Sequence, residues 1–178
     1  MYILKNLDHQ TTNAIRADWI EQVQEGDDSA LEITDSFFDY LMNGNFFGEL
    51  FQRSNQITYM AVADQASNSI IAITEIVFSR QGSRSICKIM DIVHAPAIGA
   101  LEDDQYLDIK FDTFNSILSY MLEINKLTKH GITKIYARDG AAQKTITQIH
   151  EDADEKSFRD LGFEMRLSGH RWLEFKKI

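Results

Sequence analysis

Two carboxylates lie inside apolar, strand-like stretches of the sequence, where an acidic side chain can act as a general base. Asp91 stands in the run 89–93, and Glu75 stands in a second such run. Burial among apolar neighbours raises the pKa of a carboxyl, and such a group can take a proton from an attacking nucleophile. Asp91 is the sharper candidate. The sequence leaves open the alternative that Asp91 points to solvent or pairs with Lys88 or Arg84.

Histidine and cysteine give weaker signals. His94 follows the same run, but no second histidine or carboxylate cluster stands at ligand spacing, so we expect a turn residue rather than a catalytic or metal-binding one. His150, beside Glu151 and Asp152, is equally unspecific. Cys87 is the single cysteine, which excludes an intramolecular disulfide and a cysteine-based zinc site. We expect no metal, and we expect Cys87 to pack inside a strand.

Composition indicates the broad class of the protein. Hydrophobic residues make up 44% and charged residues 25% of the 178 positions, which is ordinary globular usage and argues against disorder. This length suits one domain over 1–178. The net charge of −9 argues against a nucleic-acid partner, and the basic stretch 170–177 is interleaved with apolar residues, which favours a strand. No apolar run reaches the ~18 residues of a membrane span, and no signal-peptide pattern opens the sequence, so we expect a cytoplasmic protein without a membrane partner.

The first half of the sequence predicts a strand, two helices and three antiparallel strands. A strand at Tyr2 to Leu4 precedes a helix whose apolar residues between Ile15 and Val23 share one face. Thr34 or Asp35 is expected to cap a second helix, which ends near Asn43 and carries aromatic residues expected in the core rather than in a pocket wall. The three strands are expected at 57–63, 70–78 and 86–93, with turns at 64–69 and 81–83.

The second half predicts two helices and three strands. A helix from about Asp112 carries apolar residues on one face, and Gly131 is expected as its left-handed C-terminal cap. The predicted order is therefore β-α-α-β-β-β-α-β-α-β-β. The remaining elements are a strand at 132–137, an acidic segment at 138–155 that forms a lid or a surface extension, a helix at 152–161 and a hairpin around 168–169.

This order of elements, over nearly the whole chain, resembles the acyl-CoA N-acyltransferase (GNAT) superfamily. Locally, Phe158 to Phe163 resembles the family's Tyr-x-x-Leu-Gly-Phe segment, and Trp172 to Lys177 resembles its closing strand. Gly162 permits a left-handed helix end, and Leu161 and Phe163 are expected to anchor the two elements to the core. The resemblance implies an α/β (α+β) fold with a mixed central sheet of about seven strands, flanked by about four helices. That sheet splays between its fourth and fifth strands to admit acyl-CoA.

The family's most characteristic turn follows strand four, where a Gln/Arg-x-x-Gly-x-Gly/Ala sequence holds the CoA pyrophosphate through backbone N–H groups. Here the corresponding stretch, Gln105 to Ser116, lacks the glycines. Three aspartates surround the expected phosphate position, and Lys110 offsets them only in part. Either the loop 97–109 binds CoA along a different backbone path, or the pyrophosphate site is lost. The three aspartates, which we expect to be solvated or capping side chains, are Asp104, Asp108 and Asp112.

The resemblance also implies roles for other positions. The backbone of Ile92, Val93 and His94 would pair with the pantetheine arm of CoA like an added strand. The tyrosine that protonates the departing thiolate in many members is replaced by Phe158, which has no proton to give. The tyrosines that could substitute for it, or that simply pack, are Tyr120 and Tyr136.

Two functions remain open from the sequence. The first is an N-acyltransferase, expected to be an acetyltransferase, that moves an acyl group from acetyl-CoA or another acyl-CoA to an amine of a small molecule or protein. The amine attacks directly, and Asp91 or Glu75 takes its proton. The second is a catalytically inactive GNAT-like domain that binds a ligand or protein, as the missing glycines and tyrosine would permit. The acceptor and a homodimeric state are left open.

Overall fold

The structure is a computed structural model that describes residues 1–44, 46–47, 56–128, 130–153 and 155–178. Within these ranges the chain forms seven strands and six helices. The strands are β1 (Tyr2–Asn6), β2 (Gln56–Asp64), β3 (Ile70–Gln81), β4 (Arg84–His94), β5 (Gly131–Tyr136), β6 (Phe163–Ser168) and β7 (Trp172–Lys177). The helices are α1 (His9–Gln22), α2 (Asp28–Asn43), α3 (Pro96–Gly99), α4 (Asp103–Lys126), α5 (Gly140–Asp152) and α6 (Glu155–Asp160).

The strands form one mixed sheet in the order β1-β2-β3-β4-β5-β7-β6. β1 is antiparallel to β2, and β7 is antiparallel to both β5 and β6, whereas β4 and β5 are parallel. Parallel neighbours need a long crossover, and the chain between β4 and β5 contains α3 and α4. β2 to β4 are sequential neighbours joined by short turns, as hairpins are. The predicted mixed α/β sheet of seven strands is confirmed.

Residue contacts divide the chain into two compact units, and the first has its core around Trp19 of α1. The Trp19 side chain is 1% exposed, and its ring packs against Phe37 and Phe38 of α2. Its indole N–H donates to the Ile70 carbonyl oxygen at 3.2 Å. Phe38 is fully buried and Phe37 packs half-buried against the same core, as predicted, whereas Tyr40 is 53% exposed. The aromatic residue expected at 51 lies outside the described residues. This unit comprises Met1–Glu49, Thr58–Thr74 and Ile92–Ile117.

The second unit joins the end of α4 to the C-terminal strands. Asn125, fully buried in α4, donates from Nδ2 to Thr133 Oγ1 of β5 at 3.0 Å. Lys177 of β7 donates from Nζ to the carbonyl oxygens of Lys126 and Thr128 at 2.6 and 2.9 Å, which satisfies acceptors left over at a helix end. This unit comprises Leu50–Ile57, Glu75–Asp91 and Leu118–Ile178.

The start of α2 differs from the prediction. Neither Thr34 nor Asp35 is its cap, because Asp27 Oδ1 accepts the N–H of Ala30 at 2.9 Å and starts the helix earlier. Asp35 instead lies within α2 and accepts from Arg16 Nε of α1 at 2.9 Å. The carboxylate predicted as a cap therefore links the two helices.

The long helix before β5 also differs from the prediction at both ends. α4 begins at Asp103 rather than near Asp112. Gly131 is not a helix cap; it lies in β5, opposite Ser85 of β4. A Cβ at Gly131 would stand 1.6 Å from Asn125 Oδ1, so the close approach of α4 to β5 explains the glycine.

The acidic segment after β5 is mostly helical, which the sequence did not predict, and the short helix predicted at 152–161 is present over the narrower range Glu155–Asp160. Asp139 Oδ1 accepts the N–H of Ala142 at 2.8 Å and starts α5, which is followed by the separate short helix α6. With α3, this gives six helices in the described ranges instead of about four. Gly162 has the expected left-handed φ of +88°, and Phe163 is buried. Leu161, however, is 54% exposed and does not anchor α6 to the core.

Candidate active site

Strands β4 and β5 pair over only part of the length of β4. The parallel register ends where Ile89 lies opposite Ile135, whereas β4 continues to His94. Asp91 therefore lies just past the paired segment. This early end of the pairing agrees with the opening between strands four and five that the resemblance implied.

Asp91 forms an ion pair with a residue that follows β5. Arg138 Nη1 donates to Asp91 Oδ2 at 2.6 Å, and the two side chains are 74% and 36% exposed, respectively. The sequence had suggested Lys88 or Arg84 as the partner. The pair joins β4 to the residues after β5 at a level where backbone pairing between these strands has stopped.

Glu75, the second predicted base, lies half-buried in β3. β3 is the neighbour of β4 in the sheet, so the two carboxylates are on adjacent strands of the same unit. Of the two, Asp91 is the one that stands at the end of the β4–β5 pairing. The roles of Asp91 and Glu75 as proton acceptors remain predictions.

His94 ends β4 in a neutral state with an unsatisfied nitrogen. Its Nε2 is buried and has no hydrogen-bond partner among the described residues. Burial, followed by the positive charge of Lys110, lowers the pKa of His94 to about 4, so its imidazole is uncharged at pH 7. The His94 ring centroid lies 6.1 Å from that of Tyr106, and Lys110 Nζ lies 5.2 Å from the Tyr106 ring centroid. An imidazole, a phenol and an ammonium group thus converge between the end of β4 and the first turns of α4.

The connection from β4 to α4 runs through residues 95–102, and several of its backbone N–H groups already donate hydrogen bonds within the chain. The N–H groups of Ile98 and Gly99 donate to the Ala95 carbonyl oxygen at 2.9 and 3.3 Å. The N–H of Ala97 donates to Gln22 Oε1 at 3.3 Å. These donors are engaged within the chain rather than held ready for a pyrophosphate. The stretch 105–116, expected to correspond to the phosphate-binding turn, lies inside α4 and is therefore a helix rather than a turn.

The three aspartates expected near that turn lie exposed on α4. Asp104 is in the first turn, where a negative charge stabilises the positive end of the helix dipole. Asp108 and Asp112 follow at four-residue intervals and are also exposed. Their positions agree with the interpretation that they are solvated or capping residues.

The tyrosine position of the family segment is occupied by Phe158 of α6, whose ring centroid lies 5.2 Å from that of Phe175. Tyr136 Oη accepts a hydrogen bond from Arg171 Nη1 at 3.0 Å. Tyr120 of α4 is 37% exposed, and burial of its hydroxyl raises its pKa. These contacts account for Phe158 and Tyr136 as packed and hydrogen-bonded side chains.

A buried carboxylate ties together the strands that follow the site. Glu174 of β7 is 1% exposed and lies opposite Lys134 of β5 and Arg166 of β6. Arg166 donates to Glu174 Oε2 from Nε at 2.8 Å and from Nη2 at 2.7 Å, while Lys134 Nζ binds Oε1. Burial alone would raise the pKa of Glu174, but the hydrogen bonds and charges of the two cations outweigh it and hold that pKa below its usual range. This cluster fixes the lateral alignment of β5, β7 and β6.

Two further observations concern the described residues only. No group of three or more histidine, cysteine, aspartate or glutamate side chains comes together there in a way that could hold a metal ion. In the same ranges, every helix is too short or too polar to cross a membrane.

Sequence reasoning missed Arg138 and Tyr106. Arg138 could have been found by setting β4 and β5 parallel, because residues just beyond Ile89 and Ile135 then reach the same level of the sheet. Tyr106 carries no local signal, since its contact with His94 depends on where α4 begins.

Comparison with known proteins gave structural matches alone. No protein-family model matches the chain, and the search of curated proteins also found no match. Solved structures with a similar arrangement include a GCN5-related N-acetyltransferase from Brucella melitensis, at 11% identity and a TM-score of 0.42, covering 98% of this chain and 74% of that one. The ribosomal-protein-S18-alanine N-acetyltransferase from Escherichia coli matches at 11% identity and a TM-score of 0.37, covering 99% and 91%. The Arabidopsis thaliana protein NAA60 in complex with acetyl-CoA matches at 9% identity and a TM-score of 0.38, covering 99% and 98%. Because these identities and TM-scores are low, the fold assignment rests on the strand order and register of this chain itself.

Proposed function

We propose that this protein is an acyl-CoA-dependent N-acyltransferase that moves an acetyl or similar acyl group to an amine. The observation that carries the proposal is the parallel β4–β5 pair, whose register ends at Ile89 while β4 continues past Asp91. A strand end released from its neighbour can accept an extended ligand through its main chain. A carboxylate beside that end can accept the proton of an attacking amine.

The acyl-CoA would lie along the end of β4. The backbone of Ile92, Val93 and His94 would pair with the pantetheine arm, as the resemblance to the GNAT superfamily implies. Lys110 supplies a positive charge for a phosphate group, and the buried Nε2 of His94, when it carries the proton of the neutral ring, supplies a donor. In this proposal, two side chains take over a task that the missing glycine turn performs with backbone N–H groups.

The acyl transfer would use Asp91 as the proton acceptor, with Glu75 as the alternative. The amine nitrogen forms a bond to the thioester carbonyl carbon, the carbon–sulfur bond breaks, and the amine proton passes to the carboxylate directly or through water. Arg138 holds Asp91 in place through Oδ2, and its own side chain is exposed enough to move aside. The thiolate of CoA would take its proton from water, because Phe158 has none to give.

The experiment is an amine screen with acetyl-CoA, followed by comparison of Asp91→Asn with the wild type on any acceptor found. We expect the substitution to lower kcat by about 10²–10⁴-fold and to leave the Kd for acetyl-CoA unchanged. Asp160→Asn, at the exposed end of α6, is the matched control and should keep wild-type turnover. Unchanged turnover of Asp91→Asn would remove Asp91 from the mechanism and shift the role to Glu75, which Glu75→Gln tests in the same assay.

The alternative is a GNAT-like domain that binds a ligand or a protein without transferring an acyl group. The contact of Phe158 with Phe175 favours it, since this position offers packing instead of an acid. A domain of this kind that has lost the CoA site would gain no thermal stability from millimolar acetyl-CoA, because stabilisation requires binding to the native state. A rise in Tm with acetyl-CoA would count against this alternative.

A further inference from the structure

A groove lies between α5 and the turn that joins β6 to β7, outside the residues assigned to acyl transfer. It has a volume of about 650 Å³, which is within the range of small-molecule sites. Gln143, Lys144 and Thr147 line it from one face of α5, and Gly169 and His170 line it from the turn. The lining residues all belong to the second compact unit.

The charge of this groove is opposite to that of the chain. The sequence carries 27 acidic residues against 18 lysines and arginines, yet no carboxylate is among the described residues that line the groove. Lys144 is exposed and has no ion-pair partner in the described ranges, so its charge is not neutralised there. His170 adds a ring that can donate a hydrogen bond. One carboxylate is linked to the lining from outside, since Gln148 donates from Nε2 to Asp152 Oδ2 at 2.6 Å. A groove whose lining has an unpaired cation and no carboxylate favours a negatively charged occupant.

The neutral lining residues restrict the occupant further. Gln143 and Thr147 offer an amide and a hydroxyl, which suit carboxylate or phosphate oxygens. Leu167 is the one apolar residue in the described lining. The turn also keeps its backbone open to the groove, because Gly169 has no Cβ and adopts a φ of +63°.

We propose that this groove binds a small, polar, multiply charged anion, with Lys144 as its principal charge partner and His170 as a hydrogen-bond donor. The occupant is a di- or tricarboxylate or a phosphate compound, two sources of the same oxygen-anion chemistry. The N-terminal N–H groups of α5 are not proposed as the anion site, since the N-cap Asp139 already accepts the N–H of Ala142 there. The proposal does not depend on acyl transfer, and it is tested without acyl-CoA.

The test is a titration of the full chain with citrate and, separately, with inorganic pyrophosphate, followed by amide chemical shifts and by calorimetry. We expect saturable binding of at least one probe below millimolar concentration, with the largest shifts at Gly140, Gln143 and Gly169. The probe that binds more tightly distinguishes a carboxylate from a phosphate ligand. Lys144→Gln should weaken binding about tenfold or more, a loss of about 1.4 kcal/mol.

Lys176→Gln is the matched control, because Lys176 is an exposed lysine of β7 outside the groove. It should change the Kd by less than about twofold, since exposed charges away from the ligand are screened. Both lysines are exposed, so both variants are expected to fold, and their thermal unfolding is recorded alongside. The proposal is overturned if neither probe saturates, if the shifts lie elsewhere, or if the two variants lose affinity equally.

Discussion

Substitution of Glu174 by glutamine tests whether the buried ion cluster holds the C-terminal strands in place. The glutamine keeps the size of the side chain but removes its charge, and it leaves Lys134 and Arg166 without their common partner. Removing one member of a buried ion pair typically costs about 3–5 kcal/mol. Arg166 is 58% exposed and can turn to water, whereas Lys134 is only 23% exposed. We therefore expect the lower end of this range, about 3 kcal/mol.

That loss should be plain in thermal unfolding. For a chain of this size, each kcal/mol shifts Tm by about 2–4 °C, so Glu174→Gln should lower Tm by about 6–12 °C. Glu164→Gln is the matched control on the neighbouring strand β6, where Glu164 is exposed, and it should change stability by no more than about 0.5 kcal/mol. A loss of less than about 1 kcal/mol in Glu174→Gln would refute the view that the cluster stabilises this unit.

The same pair of proteins gives a pH test with a definite sign. The pKa of Glu174 is held below its ordinary value of 4.5 in the folded state, so the unfolded chain binds the proton more tightly. The stability that Glu174 contributes is therefore complete well above pH 4.5 and is lost as the pH falls through the folded-state pKa. The Tm difference between the wild type and Glu174→Gln should shrink in acid. A constant difference from pH 7 to pH 3 would contradict the assignment.

Two further predictions concern buried positions of the second unit. Burial raises the pKa of the Cys87 thiol to about 12, so at pH 8 the folded protein should not react with Ellman's reagent. The unfolded protein should release one equivalent of the reagent's thiolate. Rapid reaction of the folded protein would show that Cys87 is accessible. Gly131→Ala should destabilise the protein by about 1–3 kcal/mol, because its Cβ would overlap Asn125 Oδ1. Chemical denaturation measures this loss, and Gly140→Ala is the control variant, because a Cβ at Gly140 meets nothing within 4 Å. Equal stability of the two variants would exclude the overlap.

Strongly periodic segments were predictable from the sequence because their pattern reports burial directly. The strands from β2 to β4 and helix α1 fall where alternating or helical apolar spacing places them. Where several residues could perform the same local task, sequence reasoning failed. Asp27 and Asp35 are both acceptable caps, and the choice between them depends on Arg16 of a different helix. Gly131 resembles a helix cap locally, but the packing of α4 on β5 is what requires a glycine there.

In the candidate site, too, local features were predictable from the sequence and long-range contacts were not. Asp91 was singled out by its own apolar neighbours, and that information is local. Its partner Arg138 lies 47 residues away along the chain and is found only when β4 and β5 are set in register. The environment of His94 depends on α4 beginning at Asp103, which the sequence placed later. Long-range register and helix start points decide the chemistry of both residues.

The most direct test of the proposed function is isothermal titration of the full chain with acetyl-CoA, with desulfo-CoA as the control for the nucleotide and pantetheine portions. We predict saturable binding of both with a micromolar Kd, weakened about tenfold or more in Lys110→Gln because a charge partner of a phosphate is lost. The absence of any saturable binding by the folded wild-type protein would contradict the account and leave the chain as a GNAT-like domain that does not use acyl-CoA.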